Sequence, residues 1–405
     1  MSFHLEDHLY GSLKSIYNSS PQAFKSVIGR VYRSMPDSLR YGETYGHYLS
    51  LLEKSQWWSK KKILAYQWEK TKNLLWHAYN NVPYYKTLFD QRGISIANIQ
   101  NFQDFKKIPF LTKNIIRENF TELLAKNYKK SKLIPVATGG TTGAPLTLYY
   151  EKGVSRPLEY AFTVHGLGRI GFRVGDRIVV IRGEVVKGAN QKAPSYFDPI
   201  RNRLVLSSYN MIEENLPYYI EKIRKFKPKF LHVYPSSLVL LARFMKDYKV
   251  DYFPALQGII ASSETIHQWQ FDLFQEVFKC NVFPWYGLNE LVALAGACEF
   301  SSRYHLFPEY SYVEFVRDDD FNEDTHNKNI CEIVGTGFGN YAMPLIRYRT
   351  LDYAIPTDAI CKCGRNYPMM EKVVGRKQEF FVDKTGSLIT FIYADVPLWS
   401  VKRMI

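Results

Sequence analysis

No stretch of this 405-residue chain approaches the roughly 18 uninterrupted apolar residues that a helix needs to cross a bilayer. The opening residues, MSFHLEDHLYGSLKSIYNSS, are polar and mixed in charge, so the basic-then-apolar layout of a secretory leader is missing. Cysteine is scarce: there are five, and an odd number in such a chain argues against a disulfide framework. No zinc-finger, RNA-recognition or other nucleic-acid signature occurs, and neither does an internal repeat or a low-complexity tract. Together these absences argue against a helical membrane span and a disulfide-stapled secreted domain, and they leave nucleic acid without a reader. A cytoplasmic globular protein is expected, with peripheral membrane contact still open.

What is present is ordinary in kind and unusual in balance. Hydrophobic residues make up 46% and charged residues 23%, as in a soluble globular protein. The length suits one large domain with smaller attachments. Lysine plus arginine reach 53 against 39 acidic residues, a net charge of +14. Clusters such as Lys60-Lys61-Lys62 and Lys129-Lys130-Ser131-Lys132 read either as solvated helix faces or as attraction for anionic ligands, nucleotides included. Aromatic residues reach 16%, mostly Tyr and Phe, which suits an aromatic-rich core and pocket.

Residues 1–95 read as a helical N-terminal region. Gln56 to Tyr79 carries Leu64, Trp68, Leu75 and Tyr79 on one helical face, and the helix should stop before Asn80-Asn81-Val82-Pro83. From residue 96 strand-like runs alternate with amphipathic helices. The runs are Arg177–Arg182, Phe230–Tyr234, Gly258–Ala261, Val282–Trp285, Tyr312–Val316 and Ile330–Val334; the helices include Leu216–Phe226 and Ile266–Phe278. Such alternation implies an α/β sheet with helices on its faces. Residues 311–390 carry more strands and turns, as a smaller β-rich subdomain would.

The sharpest local signal is Thr138-Gly139-Gly140-Thr141-Thr142-Gly143-Ala144-Pro145. Glycines free the backbone to aim successive N–H groups at one anion, and threonine hydroxyls add donors. The strand-like Leu146–Tyr150 follows where a P-loop has a helix, and the Gly-Lys-Ser/Thr ending is absent. A flexible hairpin loop is the plain alternative.

That loop resembles the phosphate-binding signature of the adenylate-forming superfamily of acyl-CoA synthetases, adenylation domains and luciferases. Ser262-Ser263-Glu264 resembles its adenine-lining segment, and Tyr286-Gly287-Leu288-Asn289-Glu290 its Tyr-Gly-x-Thr/Ser-Glu motif. Arg347 to Asp352 (RYRTLD) resembles Arg-Tyr-Arg-Thr-Gly-Asp, and Gly375-Arg376 the hinge into a smaller C-terminal domain. Within the superfamily, His77 to Tyr85, Ile108 to Lys113 and Ala342 to Arg349 are most similar to the phenylacetate-CoA ligase and CapK-type capsule branch.

The resemblance implies residues 96–374 as an adenylate-forming large domain of layered sheets with flanking helices, and 375–405 as a hinge and a truncated C-terminal stub. It implies ATP-dependent activation of a small carboxylic acid as acyl-AMP, with transfer to CoA or to a sugar acceptor in capsule or lipopolysaccharide synthesis. By the same resemblance Thr141, Thr142 and the backbone at Gly139, Gly140 and Gly143, beside Thr138, would hold the triphosphate. Glu290 would bind Mg²⁺, Asp352 the ribose hydroxyls, and Tyr286, beside Gly287, would stack on adenine. Ser262, Ser263 and Glu264 would line the adenine pocket, and Arg376 would approach the phosphates or ribose. Tyr234, ending a strand-like run, is a candidate for the acyl pocket or an ordinary core aromatic.

Cys298 and His305, with Cys361 and Cys363, offer three sulfurs and one imidazole, a set that suits tetrahedral Zn²⁺ in a structural role. Similar sets in relatives of this branch favour that reading over three unligated cysteines and a surface histidine. Cys280 and Cys331 read as packing residues.

Three departures weaken the match. Asn289 replaces the usual hydroxyl residue, Leu351 replaces the usual glycine, and nothing identifies Lys402 with the essential lysine of the missing C-terminal domain. A non-catalytic nucleotide- or acyl-binding protein is therefore the alternative.

Overall fold

A computed structural model of the chain describes residues 20–138, 145–184, 186, 192–317, 329–376, 380–382 and 388–390. Helices open the described part: α1 (Gln22–Ser34), α2 (Asp37–Ser55), α3 (Lys60–Asn81) and α4 (Pro83–Arg92). Pro83 starts α4, because proline at a first helical position forfeits no hydrogen bond and already has a helical φ. α3 therefore runs past Tyr79 to Asn81.

The buried face of α3 is Ile63, Gln67, Thr71, Leu74, Leu75 and Ala78, whereas Leu64 is 52% exposed. Of the expected stripe, Leu75 is in the core and Trp68 and Tyr79 pack against it, so Leu64 alone falls off the buried face. Two polar residues complete that face. Gln67 Nε2 donates to the Ser311 carbonyl at 2.9 Å, and Thr71 Oγ1 to the Gln67 carbonyl at 2.8 Å. Short helices α5 (Phe102–Phe105) and α6 (Lys113–Glu118), each N-capped by a side chain, lead on to a two-stranded hairpin, β1 (Leu133–Ala137) with β2 (Thr147–Glu151).

Helix α7 (Ser155–Gly168) then leads into a twelve-stranded mixed sheet. Its parallel strands are β5 (Arg203–Ser207), β3 (Ile178–Arg182), β6 (Phe230–Val233), β7 (Gly258–Ser262) and β8 (Asn281–Gly287), in that spatial order, with β4 (Ser195–Asp198) antiparallel at the edge. Beyond β8 the sheet is antiparallel: β9 (Leu294–Cys298), β10 (Ser301–Leu306), β14 (Met369–Arg376), β13 (Tyr348–Thr357), β12 (Cys331–Gly337) and β11 (Ser311–Arg317). Each expected strand run lies on one of these strands. Residues 380–382 and 388–390 form a separate antiparallel pair, β15 and β16.

Helices α8 (Leu216–Phe226), α9 (Pro235–Asp247) and α10 (Gln268–Phe278) cover one face of the parallel half, around Ile181, Leu231 and Ile259. α7 lies against Trp285 and Phe307, so closely that a Cβ on Gly166 would meet the Trp285 indole at 2.5 Å. α2 packs outside α7 through Tyr41, Tyr45 and Ala161. Among the described residues no helix is long and apolar enough to cross a membrane.

One close approach bears on the site. A Cβ on Gly337 would lie 2.2 Å from the Leu291 carbonyl, so Gly337→Ala must displace the backbone next to Glu290. It should lower unfolding free energy by about 1–3 kcal/mol, read as a fall in the denaturant midpoint. Gly46→Ala in α2, whose added methyl meets nothing within 4 Å, should raise the midpoint.

Candidate active site

The base of the glycine-rich loop is fixed by its own hairpin. Thr138 N donates to the Leu146 carbonyl at 2.9 Å, and Leu146 N to Thr138 Oγ1 at 3.0 Å. The candidates Gly139, Gly140, Thr141, Thr142 and Gly143 lie outside the described residues. The base is tied to the strand that carries the acidic motif: Asn289 Nδ2 donates to the Ala137 carbonyl at 3.4 Å, and Tyr150 OH donates to the Asn289 carbonyl. Asn289, the departure from the family pattern, thus bridges two segments of the site with its amide and its carbonyl.

Glu290 is buried just past the end of β8, and Tyr348 OH donates to its Oε1 at 3.0 Å. Burial, with Glu290 beside it, pushes the Tyr348 hydroxyl well up, so it remains a donor. Asp352 is also buried. Its Oδ2 accepts from Tyr286 OH and its Oδ1 from Arg376 Nε, both at 2.9 Å. Strand register explains the second bond, because Asp352 and Arg376 are cross-strand partners in β13 and β14. The Tyr286 ring that the resemblance assigns to adenine is 9% exposed and packs with Ala293, Ala295 and Leu306.

The segment leading to Asp352 is held from several sides. Arg347 pairs through Nε and Nη2 with both oxygens of buried Glu314 at 3.0 Å. Leu111 N donates to the Arg347 carbonyl at 3.0 Å, and Arg349 N to the Leu111 carbonyl at 2.9 Å. Tyr85 OH donates to the Pro344 carbonyl and accepts from Ile346 N, both at 3.0 Å. The three segments that carry the branch resemblance, 77–85, 108–113 and 342–349, therefore meet in one place. Leu351 has φ 62°, the left-handed conformation for which glycine is usual. Its N–H donates to Glu332 Oε1 at 3.1 Å, and the neighbouring Asp352 N to Thr350 Oγ1 at 3.0 Å, so the turn forms without glycine.

Ser262 and Ser263 close β7 at the carboxyl edge of the parallel strands, the edge at which open α/β sheets take ligands. Ser262 Oγ lies 2.9 Å from His232 Nε2, and Ser263 Oγ accepts from Arg182 Nη2 at 2.6 Å. Burial and the charge of Arg182 hold His232 well below its ordinary value. Glu264 caps α9 by accepting from Ser236 N at 2.9 Å and Ser236 Oγ at 2.8 Å. Tyr234, half-buried, precedes that helix and faces the Arg182 guanidinium, 5.5 Å from ring centre to Cζ.

Cys298, His305, Cys361 and Cys363 come together on β9, β10 and the turn before β14, all buried, with ligand atoms within 4.8 Å of one another. Cys298 Sγ is 3.6 Å from Cys361 Sγ, and Cys363 Sγ is 3.4 Å from His305 Nε2. Burial pushes the Cys363 thiol up, but hydrogen bonds from Arg365 outweigh it and the thiol lies below its ordinary value. Cys280 and Cys331 stand apart from this group.

Sequence reasoning gave no role to Tyr150, Arg182, His232 or Tyr348. The signals were present: a charge at the end of an apolar parallel strand in Arg182, and a tyrosine inside a quoted motif in Tyr348.

No protein-family model matches the chain. It is 23% identical to protein CapK of Staphylococcus aureus over 381 residues, covering 93% of this chain and 81% of CapK. It is 26% identical to a phenylacetate-coenzyme A ligase of Thermus thermophilus over 333 residues, covering 80% of this chain and 72% of that ligase. Its structure resembles that of 2-hydroxyisobutyryl-CoA ligase bound to an acyl-AMP, with TM-score 0.62, 17% identity, and 82% of this chain and 70% of that one covered. The chain is related to CapK and the phenylacetate-CoA ligases, and its fold is that of an adenylate-forming ligase.

Tyr286→Phe removes one of the two donors to buried Asp352 and should destabilise the protein by about 1.5–3 kcal/mol. Equilibrium denaturation would check it; an unchanged midpoint would mean that Arg376 alone satisfies the carboxylate.

Proposed function

We propose that this chain joins a carboxylic acid to ATP as an acyl-AMP, releasing pyrophosphate, and passes the acyl group to CoA. The observation that carries the reading is the convergence of the glycine-loop base, Glu290 and Asp352 through Asn289, Tyr150, Tyr348 and Tyr286. Kinship with phenylacetate-coenzyme A ligases and the acyl-AMP and CoA complexes of the structural neighbour support it. Residues 96–374 form the catalytic body on this reading, with 1–95 as a helical extension and 375–405 leading to the hinge.

The roles follow from charge. The transition state is anionic at the phosphates, so the protein's work is positioning and neutralisation. Thr138 anchors the loop on which Gly139, Gly140, Thr141, Thr142 and Gly143 would take the triphosphate. Tyr348 fixes Glu290 by one oxygen, while Oε2 accepts no hydrogen bond among the described residues. Glu290 would hold Mg²⁺ there, which supplies Lewis-acid neutralisation of the phosphates. Asp352, aligned by Tyr286 and Arg376, would meet the ribose, and the strand end at Ser262 and Ser263 would border the adenine. Glu264 would act from behind, as the cap that fixes α9. Kinship with CapK supports a sugar hydroxyl or amine in capsule or lipopolysaccharide assembly as another acceptor.

One observation favours a second reading, binding without turnover. Asn289 stands where the family pattern has a hydroxyl near the phosphates, and it spends its amide and its carbonyl on the hairpin instead. Carboxylate-dependent exchange of pyrophosphate into ATP, measured over aryl, fatty and hydroxy acids, separates the two. The first reading expects exchange with one acid class and its loss, by about a hundredfold or more, in Glu290→Ala. ATP binding with no exchange for any acid would support the second.

We also assign Cys298, His305, Cys361 and Cys363 to a structural Zn²⁺. Three sulfurs at about 2.3 Å in a tetrahedron would stand about 3.8 Å apart, close to the Cys298–Cys361 separation. Arg365, paired with both oxygens of Glu299 at 3.0 Å, would stand beside the thiolates, and it ties the cluster to the end of α2 by donating to the capping Gln56 Oε1 at 2.9 Å. Elemental analysis of the purified protein should find about one zinc per chain, and Cys361→Ser should lose it together with thermal stability.

A further inference from the structure

Strands β3, β6 and β7 end side by side at Arg182, Val233 and Ser262. At that edge stands a cation without a counter-charge. Arg182 has no carboxylate within salt-bridge reach among the described residues, and its Nε is buried without a partner. The nearest acid, Glu184, is engaged by Arg203 Nη1 at 3.0 Å and by Tyr196 OH at 2.7 Å. His232, whose Nε2 is 3.2 Å from Arg182 Nη1, adds no negative charge and is held neutral by its burial. The Tyr234 and Tyr209 hydroxyls close on the neighbouring Gly183, where a Cβ would lie 3.1 Å and 3.2 Å from them. A partly buried guanidinium without a carboxylate is costly in the free protein and is matched by a ligand that brings one.

The position says which carboxylate. The reacting one must reach the phosphates near Glu290, just past β8, and the loop base that Asn289 ties to it. β3 is three strands from β8 in the sheet, a lateral distance of about 14 Å at the usual strand spacing. A carboxylate bound by Arg182 is therefore remote from the reacting end of the acid.

We propose that Arg182, with Ser263 and His232 beside it and Tyr209 and Tyr234 around it, binds a second, non-reacting carboxylate, so that the acid substrate is a dicarboxylate. The inference rests on the acid-activating reading above and deepens it. Arg182 sets specificity and takes no part in bond making.

The test uses two acids that differ only in that charge and are long enough to span the distance, dodecanedioate and its monoamide. Binding to the full chain is measured by calorimetry, and turnover by ATP–pyrophosphate exchange. Wild type should bind the diacid about tenfold or more tightly than the amide. Arg182→Gln should abolish that preference and keep or raise the melting temperature; Arg182→Lys should restore part of the preference. Equal binding of both acids by wild type, or an unaltered preference in Arg182→Gln, would overturn the proposal. So would equal weakening of both acids in the variant, which would assign Arg182 to the reacting carboxylate. Diacid preference lost in the variant with no exchange in any protein would uphold this site and reject adenylation. Exchange without diacid preference would do the reverse.

Discussion

The Arg347–Glu314 pair carries more of this structure than any other contact. Both side chains are buried, so the pair bears the full desolvation of two charges, and a bidentate geometry with further acceptors is what makes it tolerable. Those acceptors are the Lys106 and Ile108 carbonyls, and the guanidinium also lies 4.3 Å from the Phe110 ring centre. One side chain thus joins the segment after α5 to β11 and to the start of β13. Arg347 itself is left-handed, at φ 51°, a conformation kept because the surrounding bonds over-determine it. From there the chain needs five residues to reach Asp352, and every fixed point along it, Tyr348 on Glu290 and Thr350 on the Ile333 carbonyl included, inherits its position from that anchor.

The division between what could be read and what could not follows from the range of each interaction. The α/β alternation was legible because buried parallel strands leave apolar runs such as Ile178–Ile181, and α8 shows its period along the sequence. The end of α3 and the polar part of its buried face were not, because Pro83 opens a helix and Gln67 and Thr71 hold core positions by hydrogen bonds to partners that sequence cannot identify. The four cysteine and histidine positions could be named from spacing, but only the antiparallel return of β10 on β9 and β14 brings residue 298 to residue 361. Leu351 illustrates the reverse. Leucine stands where glycine is usual, yet the turn forms because Glu332 and Thr350 supply bonds that outweigh roughly 1–2 kcal/mol of left-handed strain.

Among the described residues four arginines, Arg33, Arg40, Arg169 and Arg182, leave nitrogens without hydrogen bonds in buried surroundings, and comparing the last two shows why only Arg182 reads as a binding group. All three guanidinium nitrogens of Arg169 are unpartnered, but the group sits 4.6 Å from the Phe307 ring centre and 5.4 Å from that of Tyr367. Aromatic faces give a cation part of what a carboxylate would. Glu309, whose Oε2 is also unpartnered, lies near enough to oppose the charge. That is an interior arrangement, closed by α7 and the segment after the cysteine cluster. Arg182 has one tyrosine ring, a neutral imidazole and an acid already engaged elsewhere, and it stands at the edge where the parallel strands end. The same charge is a packing element in one setting and an unmet electrostatic demand in the other. What separates the two is how much of the charge the surrounding rings and acids already answer.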